Sequence, residues 1–201
     1  MKIAVIGAGN VGGTLAKRFA KAGHIVTLGV RNVDDPKVKK LISKKLSAGT
    51  VSEAAKKSDV IVTAAYPTGT RELAKALGNV KGKVIIDAMN VFRGTPKPYK
   101  TTAEALLAWT NTKDVARCFN TTGWQNMENP IYRGRGIDMF VAGDSRKAKR
   151  VATKLAKDIG YGTVYDLGGD ESFELLEQIV IVWVSLSQRL GRDIALKILK
   201  R

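Results

Sequence analysis

The sequence predicts an α/β fold, a doubly wound parallel sheet with a small C-terminal α/β-helical extension, and three observations carry that expectation. Short β-branched apolar runs recur along the chain, each long enough for one buried strand. Segments with helical periodicity lie between them, as right-handed crossovers covering the faces of a parallel sheet require. The opening run also passes without spacer into a glycine-rich turn and then a helix.

Lys2 to Ile6 is the first strand, Gly7-Ala8-Gly9-Asn10-Val11-Gly12 follows it, and Leu15, Phe19 and Ala22 mark the helix behind. This is G-x-G-x-x-G after a strand and opening a helix, the context in which the spacing denotes a dinucleotide site. Gly7 would make the tight turn, Gly9 would let the backbone approach a pyrophosphate, and Gly12 would let helix and strand pack closely. The unpaired N–H groups at the helix start, at its positive dipole end, suit phosphate. The fold expected is therefore Rossmann-like.

Gly23-His24 closes the first helix, and Ile25 to Val30 reads as the second strand. An NAD site places Asp or Glu at the end of that strand, whereas this chain reads Val30-Arg31-Asn32. A guanidinium can pair with a ribose 2′-phosphate in two places, where a carboxylate would repel it. The expected cofactor is NADP(H). Asp34 and Asp35 precede Pro36 and are placed to cap a helix over about 36–46.

The alternation continues. A short third strand is expected at 49–51, a helix from Ser52 carrying Glu53, and a fourth strand from Asp59 to Thr63. A helix over Arg71 to Leu77, a strand over Val84 to Asp87, a helix over Thr102 to Trp109 and a sixth strand over Asp114 to Phe119 follow. Met139 to Ala142 is another strand, Ser145 to Ile159 an amphipathic helix with Asp144 as its N-cap, and Thr163 to Tyr165 a further strand. The segment 171–200 is read as a long helix broken near Gly191, on its length, its acidic start and the Glu174/Glu177 spacing. Residues 1–120 are expected to form the nucleotide-binding domain and 121–201 an extension packed on it.

The composition fits a cytoplasmic enzyme. At 201 residues the chain can bury a substantial core. No leader precedes the first strand, and the apolar stretch Ile179 to Val184 is too short to cross a bilayer. A single cysteine, Cys118, excludes an internal disulfide and reads as a small buried hydrophobe. The net charge of +16 comes largely from lysines scattered along helices. No RNP-type aromatic run or helix-turn-helix signature accompanies them, so no specific nucleic-acid partner is expected. Some of these lysines would draw in anionic ligands.

In such a sheet the ligand lies beyond the carboxyl ends of the strands. That rule selects Ala65, Tyr66 and Pro67 after the fourth strand, Asn90 after the fifth, and Asn120, Thr121, Thr122 and Trp124 after the sixth. Asn90 and Asn120 or Thr121 could hydrogen-bond the nicotinamide ribose or carboxamide, and Tyr66 could stack. The only histidine, His24, falls at the opposite end of the sheet, and metal-ligand clusters are absent from the sequence. Hydride transfer without a proton relay suits an acceptor that is itself an electron-accepting ring, a flavin or deazaflavin. Two alternatives stay open: reduction of a small carbonyl or imine compound, and a non-catalytic NADPH-binding module.

The strings VIGAGNVGGTLAKRFAKAGHIVTLGVRN, IIDAMN, VARCFNTTG, MFVAGDS and DIALKIL resemble the deazaflavin (coenzyme F-420, F420)-dependent NADP oxidoreductase family, from Lys2 to Leu199. The resemblance implies hydride exchange between NADP(H) and F420, with a flavin as a related acceptor. It implies pyrophosphate contacts at Gly9, Asn10 and Val11 and 2′-phosphate contacts at Val30 and Arg31, with Asn32 adjoining. The family also uses a second basic residue there, for which Lys37 is the nearest candidate. Ala65 stands where the family often has proline. Asn120, Thr121 and Thr122 would lie beside the nicotinamide and the acceptor ring. A homodimer through the C-terminal helices is implied as well, and Leu175, Leu176, Ile179, Val180, Trp183 and Leu186 form an apolar surface compatible with it.

Overall fold

In the computed structural model, which describes residues 1–92 and 94–201, β1 (Lys2–Ile6) runs through the middle of an eight-stranded sheet. β2 (Ile25–Gly29) and β3 (Leu46–Gly49) lie on one side of it. β4 (Val60–Thr63), β5 (Val84–Asp87) and β6 (Val115–Cys118) lie on the other. All these neighbours pair in parallel, with Val5 opposite Leu28 on one side and Val62 on the other. Every residue of β4, β5 and β6 is buried, which is why their sequences show no polar alternation.

The helices divide between the two faces according to the pleat. Alternate strand residues point to opposite sides, so Val5, Val62 and Ile86 meet one helical layer while Ala4, Ile61 and Ile85 meet the other. The first layer holds α1 (Asn10–Lys21) and α7 (Arg146–Asp158), through Leu15, Phe19, Ala152 and Leu155. The second holds α3 (Val51–Lys56), α4 (Thr70–Leu77), α5 (Thr102–Trp109) and α8 (Phe173–Leu190), through Ala54, Leu73, Leu106 and Leu176.

The sheet is not parallel throughout. β9 (Met139–Ala142) runs antiparallel to β6, and β10 (Val164–Asp166) runs parallel to β9. The chain between β6 and β9 holds only the short α6 (Trp124–Glu128) and a hairpin of β7 (Ile131–Tyr132) and β8 (Arg135–Gly136). A parallel return would need a crossover; without one the strand comes back antiparallel from the edge it left. The hairpin turns on Arg133 and Gly134, both with positive φ (48° and 76°), the geometry a two-residue hairpin loop needs.

Several boundaries differ from the sequence reading. The helix expected over 36–46 is only α2 (Pro36–Lys39), because Ser43 and Leu46 exchange backbone hydrogen bonds (2.9 and 3.1 Å) and reverse the chain. β3 consequently starts earlier than expected, and Thr50 leaves the strand to cap α3. There Thr50 Oγ1 accepts from the Glu53 N–H at 3.3 Å while the Glu53 carboxylate accepts from the Thr50 N–H at 2.8 Å. Ser145, not Asp144, caps α7, accepting from the Ala148 N–H at 3.1 Å. Asp144 instead exchanges hydrogen bonds with Asp170 (2.9 and 3.2 Å). β10 lies one residue beyond the strand expected at Thr163 to Tyr165. α8 stops at Leu190, and Gly191 takes a positive φ of 80°. Beyond it the chain is irregular but anchored. Trp183 Nε1 and Asn126 Nδ2 donate to Ile194 O (3.0 and 2.7 Å), and Asp138 accepts from Lys197 Nζ and Ile198 N (2.6 and 2.8 Å). Among the described residues no helix is long and apolar enough to cross a membrane.

Candidate functional site

Gly7 takes a positive φ of 109° directly after β1, and a Cβ there would stand 2.5 Å from Ala64 O. A Cβ on Gly12 would collide with Gly7 O, so α1 packs onto the turn through a bare backbone. Gly9 is the contrast: a Cβ there would meet nothing within 4 Å. It is the N-cap of α1, and no side chain caps the helix. Asn10 is exposed and Val11 half-buried, so the first turn of α1 opens outward. This combination leaves a helix start with free N–H groups facing open space.

The end of β2 adjoins this opening. Val30 is buried and donates its N–H to Gly49 O at 3.0 Å, whereas Arg31, Asn32 and Lys37 are exposed. The nearby carboxylates are committed elsewhere: Asp35 accepts from the Lys37 N–H at 2.8 Å, and Asp34 pairs with Lys39 at 2.9 Å. Asn32 Oδ1 accepts from the Asp34 N–H at 3.0 Å and tightens the same loop. Arg31 makes no ion pair among the described residues, so its charge is available to an anion. His24 stands before β2, with Nε2 3.1 Å from Asp158 and Nδ1 3.2 Å from the Met1 amine. Burial, with that amine, lowers its pKa, and its position keeps it from the loops described next. Cys118 is buried in β6, and burial pushes its thiol up to about 12, as an inert core residue requires.

Three loops follow β4, β5 and β6 at the same edge of the sheet. Ala64 and Ala65 are half-buried, Tyr66 is exposed, and Pro67 is buried at the start of a 3-10 turn, Pro67–Gly69. The other two loops meet through a reciprocal amide pair. Asn90 Nδ2 donates to Asn120 O at 2.8 Å, and Asn120 Nδ2 donates to Asn90 Oδ1 at 3.2 Å. Asn120 is fully buried, and its Oδ1 has no hydrogen-bond partner among the described residues. Phe119 just before it adopts a positive φ of 64°, a costly conformation for an aromatic residue at the point where the loop leaves the strand. Thr121 is buried with its hydroxyl 3.7 Å from Met139 Sδ, and Thr122 accepts from Asn126 Nδ2 at 2.6 Å. Both hydroxyls are therefore engaged internally. Trp124 opens α6 and is half-buried.

Sequence reasoning missed a charged cluster beneath these loops. Arg117, fully buried in β6, donates Nη2 to Met89 O at 2.6 Å and to Glu177 Oε1. Its Nε lies 3.8 Å from Asp87 Oδ2. Asp87 accepts from the Thr63 and Thr102 hydroxyls (3.0 and 2.5 Å) and from the Met89 N–H (3.2 Å). Glu177 Oε1 also accepts from the Val91 N–H at 3.2 Å. Burial pushes both carboxyls above their usual range, and Arg117 opposes that shift. The one signal in the sequence was a lone arginine inside the apolar strand Val115–Cys118.

The family model for NADP oxidoreductase, coenzyme F420-dependent, matches residues 2–91. The F420-dependent NADP reductase of Methanothermobacter thermautotrophicus is 31% identical over 216 residues, covering 94% of this chain and 90% of that protein. The chain belongs to this family. The F420-dependent NADP reductase of Methanothermobacter marburgensis is 28% identical, over 93% of this chain and 92% of its own. A crystal structure from Arthrobacter sp. FB24, described as a candidate F420-dependent NADP-reductase, superposes with a TM-score of 0.85 at 26% identity over the whole of both chains. As a member of the F420-dependent NADP oxidoreductases the chain is an NADP-dependent oxidoreductase. Its own residues fit that cofactor: an uncapped α1 start, open space at Gly9 and an unneutralised Arg31 suit a dinucleotide with an added ribose phosphate.

Proposed function

We propose that the chain exchanges hydride between NADP(H) and a ring acceptor of the deazaflavin or flavin type. The observation that carries this reading is Arg31, exposed just beyond β2 with no carboxylate partner among the described residues, beside the open start of α1. In this reading Gly7, Gly9 and Gly12 shape the turn, and the N–H groups around Asn10 and Val11 hold the pyrophosphate. Val30, Arg31, Asn32 and Lys37 surround the 2′-phosphate. Ala65, Tyr66 and Pro67 flank the nicotinamide ribose, while Asn90 and Asn120 fix the nicotinamide itself. Bound NADPH supplies the hydride from its nicotinamide ring.

The chain's part is orientation. His24, the only histidine of the chain, lies at the far edge of the sheet, so no imidazole serves the site as a proton relay. An acceptor ring that takes hydride directly needs none, which favours deazaflavin or flavin over a carbonyl. Trp124 and the 121–122 backbone would border that ring. Of the apolar α8 residues expected to form a dimer surface, Leu176, Val180 and Trp183 are instead buried within the chain; the exposed Leu175 and Leu186, joined by Ile181 and Val182, support a homodimer, and the cytoplasm is the compartment that this chemistry suits.

Stopped-flow oxidation of NADPH in the presence of F420, FMN or FAD tests the proposal. Acceleration with F420, and less with FMN or FAD, is expected. No acceleration with any of them would overturn it.

A further inference from the structure

The charged cluster under the Asn90 loop has no place in the hydride exchange described so far. Its cost is high: two carboxylates and one guanidinium are buried together, and such a cluster is seldom better for stability than apolar packing of the same volume. Its geometry is what stands out. Met89 is held at both ends of its backbone, its C=O by Arg117 at 2.6 Å and its N–H by Asp87 at 3.2 Å. Val91 is held by its N–H on Glu177 at 3.2 Å. Asn90 sits between these two anchored residues, and its side chain reaches Asn120 on the next loop. Arg117 also donates to Phe173 O at 3.4 Å, so the first turn of α8 joins the same cluster. The grip on the adenosine half belongs to other segments, the turn after β1 and the end of β2.

Resting on the proposed function, we infer that Glu177 and Arg117 are positioning residues: they fix the Met89–Val91 backbone so that Asn90 addresses the nicotinamide half of the nucleotide. α8 thereby takes part in cofactor orientation although it lies outside the dinucleotide motif. The consequence is selective. Loosening the cluster weakens contacts to nicotinamide and leaves those to the adenosine bisphosphate half intact.

Calorimetric titration of the full-length protein with NADPH and with 2′,5′-ADP, which lacks the nicotinamide half, separates these effects. Glu177→Met is expected to bind 2′,5′-ADP like wild type but NADPH about tenfold more weakly, the size of one lost hydrogen bond. Glu177→Gln, which keeps an acceptor at Oε1, is expected to restore NADPH binding. If the Met variant does not fold, Glu177→Asp, which keeps the charge but draws back from Val91, must show the same selective loss. Equal weakening of both ligands, or of neither, overturns the inference while leaving the functional reading intact. Wild-type protein that binds neither ligand overturns both.

Discussion

Arg31 illustrates how much a single side chain can decide. Its neighbours Asp34 and Asp35 are tied into a lysine pair and a cap, leaving the guanidinium without an ion pair among the described residues. Arg31→Glu puts a carboxylate where a 2′-phosphate would sit. The change should cost NADPH on the order of 1.5–3 kcal/mol, roughly ten- to a hundredfold in affinity, while NADH is spared. Comparing the two dissociation constants checks this, and an unchanged ratio removes Arg31 from the site. The glycine turn and the exposed place of Arg31 just after β2 were legible in the sequence because both follow from local spacing. Arg117 and Glu177 could not: they lie 60 positions apart, and only the folded sheet brings β6 and α8 together. Glu177 was legible merely as helical spacing, since periodicity says which face a residue occupies and nothing about its partner. The Asn90–Asn120 pair fell between these cases. The rule of strand ends selected both residues, but their mutual hydrogen bonds, 30 positions apart, were invisible.

Elements with strong apolar runs were legible to the residue, as β1, β5, α5 and β9 show, because a continuous apolar run bounded by polar or turn residues marks its own ends. The stretch 36–50 was misread for a physical reason. Its lysines and scattered apolar residues satisfy a helical pattern, yet the backbone exchange between Ser43 and Leu46 and the Thr50–Glu53 capping box both shorten the helix and shift the strand. The antiparallel reversal at β9 was equally hidden, since strand direction is set by the connection and not by strand composition. Packing of α1 on the turn after β1 gives a direct test at this scale. Gly12→Ala drives a methyl into Gly7 O, and neither backbone segment can yield without moving α1. A loss of about 1–3 kcal/mol in stability is expected, together with weakened NADPH binding. Chemical denaturation measures the first and fluorescence titration the second. Wild-type values for both would mean that α1 can retreat freely.

The molecule as a whole carries a net charge of +16, the excess of 34 lysines and arginines over 18 acidic residues, which ion pairing does not reduce. Pairs such as Lys147–Asp114 at 2.7 Å and Lys149–Asp166 at 2.8 Å involve exposed or partly exposed groups, each worth about 0–1 kcal/mol. The surplus should act at long range by steering an anionic dinucleotide. The association rate of NADPH is therefore expected to fall as ionic strength rises from about 0.01 M to about 0.15 M, where the screening length shrinks from about 30 Å to about 8 Å. A rate indifferent to salt would show the charge to be spread too evenly to steer. The last stretch of chain repays attention for a different reason. A carboxypeptidase trimming everything past Gly191 would remove no helix and no strand, yet it would take the Trp183 indole N–H from its acceptor, one hydrogen bond from Asn126 and two from the buried Asp138 carboxylate. What looks like a frayed end is a keystone, and affinity tags or surface tethers are better attached away from it.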